Sequence, residues 1–193
     1  MGGLRGFPVQ DTPFARLAAS RRTVHRFEAR PVPEAAVRRA AHLATCAPNH
    51  KLTEPWTFVL LGPQRRQAVI DRAVELFREK LGDEAAAKRR VAWEAVPAYV
   101  AVLSRRTPSD PLREREDYAA VSAAAYAFAL ALWEDGIGTK WTTGPVTRDD
   151  AFLRLIGSES ADALVVGLFM LGYPAEVPSA PPRTRADVFR VTE

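Results

Sequence analysis

Apolar residues recur at three- and four-residue intervals through the first quarter of the chain and predict helices there. Asp11, Thr12 and Pro13 form a start signal: a capping side chain, then a proline whose missing N–H costs nothing in the first turn. Phe14, Leu17 and Ala18 supply the stripe expected to be buried behind it. A second helix is predicted from Glu34 to Thr45, with Ala36, Val37, Ala40, Leu43 and Ala44 inward and Ala47, Pro48 and Asn49 ending it. The run from Trp56 to Leu61 then reads as a strand closed by Gly62 and Pro63. Val69, Ile70, Val74 and Phe77 mark an amphipathic helix from about Arg65 to Leu81, and another is expected from Ala85 to Ala95.

The short apolar run from Ala98 to Leu103 predicts a buried strand. A long helix follows from Glu114 to Asp135, carrying small residues (Ala119, Ala120, Ala123, Ala124, Ala127) suited to close packing and stopped by Gly136 and Gly138. Thr139 to Thr143 is a predicted strand and Asp149 to Leu155 a short helix. Ala163 to Leu171 is the most apolar strand and the expected centre of the sheet. Beyond Tyr173 and Pro174 the chain turns proline-rich and is expected to travel as an arm from about residue 175 to 193. Helices with strands between them give an α+β class, with helices packed around one sheet.

A chain of 193 residues with 47% hydrophobic composition fits one domain over 1–193 and needs no disulfide or metal staple. The apolar stretch from Ala163 to Tyr173 is shorter than the ~20 residues of a membrane span, and the start of the chain lacks the apolar core of a secretory signal. The expectation is a cytoplasmic protein without a membrane partner. One cysteine, Cys46, excludes an intrachain disulfide and a cysteine-rich zinc site. The net charge of +4 comes from 27 basic residues against 23 acidic ones, and only four of the 27 are lysines. The arginines are spread over helices beside acids (Arg72, Glu75, Arg78, Glu79) instead of forming one basic face, so nucleic acid is not the expected partner.

Three clusters carry candidate chemistry. Arg21, Arg22 and Thr23, followed by His25, offer two guanidinium forks and a hydroxyl, a set suited to phosphate. The same residues equally suit a solvated helix end, where cations favour the dipole. The loop from Ala47 to Trp56 holds Asn49 and His50 between prolines, either against a ring edge or in water. The stretch from Gly136 to Gly144, with Trp141, Thr142 and Thr143, is compatible with a flat aromatic ligand or with a plain edge strand. It matches neither the dinucleotide glycine pattern nor a P-loop. His25, His42 and His50 lack zincin spacing, so no metal is expected, and there is no nucleophile elbow.

In their order and spacing these pieces resemble the nitroreductase family of FMN-dependent oxidoreductases, in particular its compact bacterial subgroup. The resemblance runs from about Phe14 to Arg185 and rests on Arg21 to Phe27, Ala47 to Trp56, Asp117 and Tyr118 at the head of the long helix, Gly138 to Gly144, Leu171 to Pro174, and Arg183 with Arg185.

The resemblance implies a three-layer α/β/α sandwich with a mixed, mostly antiparallel sheet. It also implies an intertwined homodimer with FMN at the interface, and ping-pong transfer from NAD(P)H to a nitroaromatic or quinone acceptor. A biosynthetic flavin dehydrogenase or oxidase, and a flavin carrier without turnover, are the alternative readings. Carried over by residue, Arg21, Arg22 and Thr23 match the phosphate and ribityl clamp, and Arg183 and Arg185 a late basic pair reaching the phosphate. Trp141, Thr142 and Thr143 match the strand beside the isoalloxazine, and His25 a site near its N1/O2 edge. Cys46 and His50 match positions that approach the ring from the second chain. No side chain is expected to act as the catalytic nucleophile, because the cofactor carries the redox chemistry. The chain departs from the family pattern at His25, Cys46 and Thr142, each standing where relatives can carry a cation, and at Glu54, where glutamine is usual. The helices between Phe77 and Trp93 are the expected lid over the acceptor, with Trp93 and Trp141 either lining it or packed in the core.

Overall fold

The structure is a computed structural model that describes residues 11–158 and 163–182. Ten elements follow one another: α1 (Pro13–Ser20), α2 (Glu34–Ala44), β1 (Trp56–Leu60), α3 (Pro63–Leu81), α4 (Asp83–Glu94), β2 (Ala98–Arg105), α5 (Pro111–Glu134), β3 (Gly138–Thr142), α6 (Phe152–Leu155) and β4 (Ala163–Gly172). Short 3-10 turns at His50–Leu52 and Pro145–Arg148 lie between them.

The four strands form one antiparallel sheet in the order β1-β2-β4-β3. The two most apolar strands take the centre, as expected, because only there are both faces covered. Alternation along β2 then divides the core. Val100 and Val102 face α2 and α5, packing with Ala40, Val121, Ala124, Phe128 and Phe169. Tyr99, Ala101 and Leu103 face α3, α4 and α6, packing with Val69, Ile70, Val74, Trp93 and Phe152. The result is a three-layer α/β/α sandwich. Its one parallel contact among the described residues is an isolated bridge between Thr23 and Thr139.

Helix ends follow local chemistry. Asp110 caps α5, its carboxylate accepting from the Arg113 N–H at 3.0 Å, and Pro111 fills the first turn. These signals start the helix three residues before the Glu114 expected from periodicity. Gly82, at φ 84°, both ends α3 and opens α4, a left-handed backbone that glycine adopts without cost. Of the helix predicted from Asp149 to Leu155 only the four residues of α6 are helical, and a 3-10 turn at Pro145–Arg148 precedes it.

Two expected burials are corrected. No residue of α1 is buried in this chain, and Phe14 is 67% exposed. Leu43, placed inward by its spacing on α2, is 46% exposed. Both apolar side chains point away from the sheet, whose α5-side layer is already filled by Ala36, Val37, Ala40 and Ala44 of α2 and by α5 itself.

Between β2 and β4 the register shifts at Val102/Leu103, leaving Val166 as the extra residue of a bulge. This irregularity determines the position of a candidate site residue.

Candidate functional site

The chain leaves α1 at Arg21 and crosses the end of the sheet. The Val24 N–H donates to the Thr139 carbonyl at 3.0 Å, and Phe27 bridges to Pro174 just past β4. Val24 is fully buried against Gly138; a Cβ on that glycine would lie 2.5 Å from the valine, so only glycine allows the approach. Thr23 and Val24 thereby meet the first residues of β3, the strand that carries Trp141 and Thr142 further on, with Thr143 following. The structure brings the first and third candidate clusters together.

Within that group the Arg22 guanidinium donates to the carbonyls of Ala19 at 2.7 Å and Arg21 at 2.8 Å. It closes the end of α1, the role the dipole reading gave it. Arg21 is half-buried, while Thr23 and His25 are exposed. The Trp141 indole lies on Phe169, with centroids 5.1 Å apart and planes 28° apart, and donates from Nε1 to the Val166 carbonyl at 3.1 Å. The bulge frees that carbonyl from the ladder, and Gly167 makes room, since a Cβ there would meet Nε1 at 2.0 Å. Trp141 keeps 39% of its surface exposed. The Thr142 hydroxyl accepts from the Gly144 N–H at 3.3 Å, and the Thr143 carbonyl accepts from Arg148.

Cys46 and His50 belong to a second group. Cys46 is exposed just beyond α2. His50 Nδ1 lies 2.9 Å from Glu116 Oε2 on the first turns of α5. His50 and Glu116, with Pro48, Asn49, Ala119, Ala120 and Ala123, line a groove of about 600 Å³; Cys46 is not part of its lining. Arg183 and Arg185 lie outside the described residues.

α5 separates the two groups. Its start holds His50 through Glu116, and its end holds the start of the first group, where Trp133 Nε1 donates to Ser20 Oγ at 2.9 Å. At 1.5 Å per residue these anchors are roughly 25 Å apart, far more than the length of a tricyclic ring.

Several contributors were given no role by the sequence. Glu116 and Asp117 are the last charges before an uncharged run from Tyr118 to Trp133, and that abrupt change was the available cue. Lys140 alternates with Trp141 and faces the α3/α4 layer; burial, with Arg89 adding to it, holds its ammonium below the usual lysine range. Trp93 is 5% exposed and belongs to the core beneath α3 and α4. Arg89 lies over the Phe77 ring, and Arg90 is paired with Asp71 and Glu94. Among the described residues there is no helix long and apolar enough to cross a membrane and no cluster suited to a metal ion.

Comparisons with known proteins agree with this architecture. A Bacillus subtilis (strain 168) protein provisionally named NAD(P)H nitroreductase YfhC is 28% identical over 169 residues, 86% of each chain. A nitroreductase-like family protein from Bacillus cereus superposes with a TM-score of 0.77 at 30% identity, covering 90% of this chain and 92% of its own. A provisionally assigned nitroreductase in complex with FMN from Desulfovibrio desulfuricans shares the fold at 18% identity, with a TM-score of 0.71 over 90% and 93% of the two chains. The nitroreductase family profile matches residues 18–173, a stretch that takes in both residue groups and all four strands, and the chain belongs to that family.

Proposed function

We propose that two copies of this chain pair through α5 and its neighbours, bind FMN in the seam, and pass electrons from NAD(P)H to nitroaromatic or quinone acceptors by a ping-pong route. The observation that carries this reading is that the His50 loop is anchored at the start of α5 and the segment opening the basic cluster at its end. A second copy related by a two-fold axis would set the His50 loop of each chain against the basic cluster of its partner.

The surface supports the pairing. From Tyr118 to Trp133 α5 carries no charge, yet Tyr126 is 44% and Tyr118 40% exposed, with Leu43 and Phe14 exposed on α2 and α1. A helical stretch without a charged face belongs in an interior.

The donor set fits the cofactor. Arg21, Arg22 and the Thr23 hydroxyl hold the terminal phosphate, with Arg22 exchanging its carbonyl partners on α1 for the anion, and Arg183 and Arg185 completing the hold. Trp141, Thr142 and Thr143 run beside the ring. His25 offers its imidazole to the pyrimidine edge, where N–H donors favour negative charge. Cys46 and His50 reach the ring from the second copy. When bound, FMN supplies the redox chemistry; the protein orients it and excludes water. Donor and acceptor take turns over the same exposed face.

The test is reconstitution of the purified protein with FMN, then anaerobic addition of NADPH or NADH. The expected result is bleaching of the flavin band and its recovery on adding a nitroaromatic or a quinone, with parallel double-reciprocal plots. A colourless monomer that takes up no FMN overturns the reading. Flavin that neither nicotinamide reduces overturns the donor assignment, and intersecting plots overturn the ping-pong order.

A further inference from the structure

Between α2 and β1 the backbone takes an unusual course. Lys51 at φ 63°, Leu52 at φ 50° and Glu54 at φ 46° all sit in the left-handed region, which L side chains rarely adopt. Three such residues within four positions need the surroundings to hold them. Asn49 and Thr53 provide that hold. The Glu54 N–H donates to Asn49 Oδ1 at 2.7 Å, and Asn49 Nδ2 donates to Thr53 Oγ1 at 3.0 Å. Thr53 Oγ1 passes its own hydrogen to Asp117 Oδ1 on α5. Asp117 is 1% exposed, in a helix that otherwise buries alanines, valine, leucines and phenylalanine. A carboxylate in such a place is expensive unless its hydrogen bonds do something the fold needs.

We infer that Asp117 is a positioning residue: through the Thr53 hydroxyl and the Asn49 amide it holds the left-handed loop in the one shape that presents His50 to the flavin. The relay is directional. Each hydroxyl or amide group donates toward α5 or accepts from the loop backbone, so loss of the Thr53 hydroxyl disconnects Asp117 from the chain it steadies. His50 is itself fixed by Glu116, one residue before Asp117, so two successive acids of α5 hold the loop at two points. The inference rests on the proposed flavin site, whose ring His50 approaches from the second copy.

The test compares FMN binding to apoprotein, followed by flavin fluorescence, in wild type, Thr53→Val, Thr53→Ser and Asp117→Ala, with melting temperature and oligomeric state measured alongside. Thr53→Val keeps the side-chain shape and removes the donor; it is expected to weaken FMN binding about tenfold, the effect of losing one hydrogen bond to a charged group. Thr53→Ser restores binding to near the wild-type level, and Asp117→Ala reproduces the loss. The Glu54 amide exchanges faster in Thr53→Val apoprotein than in wild type. Wild-type affinity in Thr53→Val, or equal losses in Thr53→Ser and Thr53→Val, overturns the proposal. Loss in Thr53→Val that Asp117→Ala does not share overturns the role of Asp117. Wild-type protein that takes up no FMN sinks the flavin reading and this inference with it, whereas wild-type uptake with an unaffected Thr53→Val sinks this inference alone.

Discussion

Trp141 is held by three features at once: the ring of Phe169 beneath it, the Val166 carbonyl freed by the bulge, and the missing side chain of Gly167. Gly167→Ala puts a methyl where the indole lies, and the crowding is expected to cost about 1–3 kcal/mol in denaturant unfolding, with a shift in tryptophan emission. Unchanged emission and stability would mean the indole rests elsewhere. A second residue-scale expectation concerns acid. The Arg72 guanidinium, donating to Asp149 from Nε at 3.1 Å and Nη2 at 2.7 Å, holds that carboxyl below the usual carboxylate range. The folded chain therefore keeps Asp149 ionised at lower pH than the unfolded chain does. The pair's stabilisation is complete above the ordinary carboxylate range and is lost as pH falls through the depressed value. Asp149→Asn should lower the melting temperature at neutral pH, and the difference from wild type should close in acid; a gap independent of pH would exclude this pair as its source. The basic cluster at Arg21 to Thr23 and the aromatic strand at Trp141 were legible because their chemistry lies in adjacent residues. Gly167, and the hydrogen bond from Thr53 to Asp117, were not, because each contact joins positions more than twenty residues apart.

The elements themselves were largely legible, since the apolar spacing that predicts a helix also buries it. The sheet's central strands followed from their unbroken apolar runs, and β4 occupies the position expected of it. Where boundaries moved, local capping chemistry overrode periodicity. Asp110 and Pro111 start α5 by the same logic as Thr12 and Pro13 start α1, so that signal was present. Phe14 and Leu43 were misplaced for a different reason: spacing shows that a face is apolar, not what covers it. α5 joins the layers through Phe128, whose ring lies 5.1 Å from Phe58 and 5.6 Å, edge-on, from Phe169. Phe128→Ala removes both aromatic contacts from a fully buried site and should cost about 3–5 kcal/mol, read from chemical denaturation. A loss below 1 kcal/mol would mean the core collapses around the gap far more completely than large-to-small core changes allow.

For the whole molecule, the exposed apolar side chains and the separated residue groups point to the same remedy, a second copy. Leu43→Glu combined with Tyr126→Glu places charge at two exposed apolar positions, neither of them buried. The expected outcome is a folded monomer, seen by sedimentation and circular dichroism, that no longer retains FMN. A double variant that stays dimeric would move the interface elsewhere. There is a consequence for length in α5. If its two ends set the offset between half-sites, the helix acts as a gauge, and an added residue would advance one end by about 1.5 Å and turn it by about 100°. Insertions should be tolerated in the turn at Thr107–Asp110, which precedes the first anchor, and rejected between Glu116 and Trp133. Homologous chains of very different size should then vary around this span and leave its residue count alone.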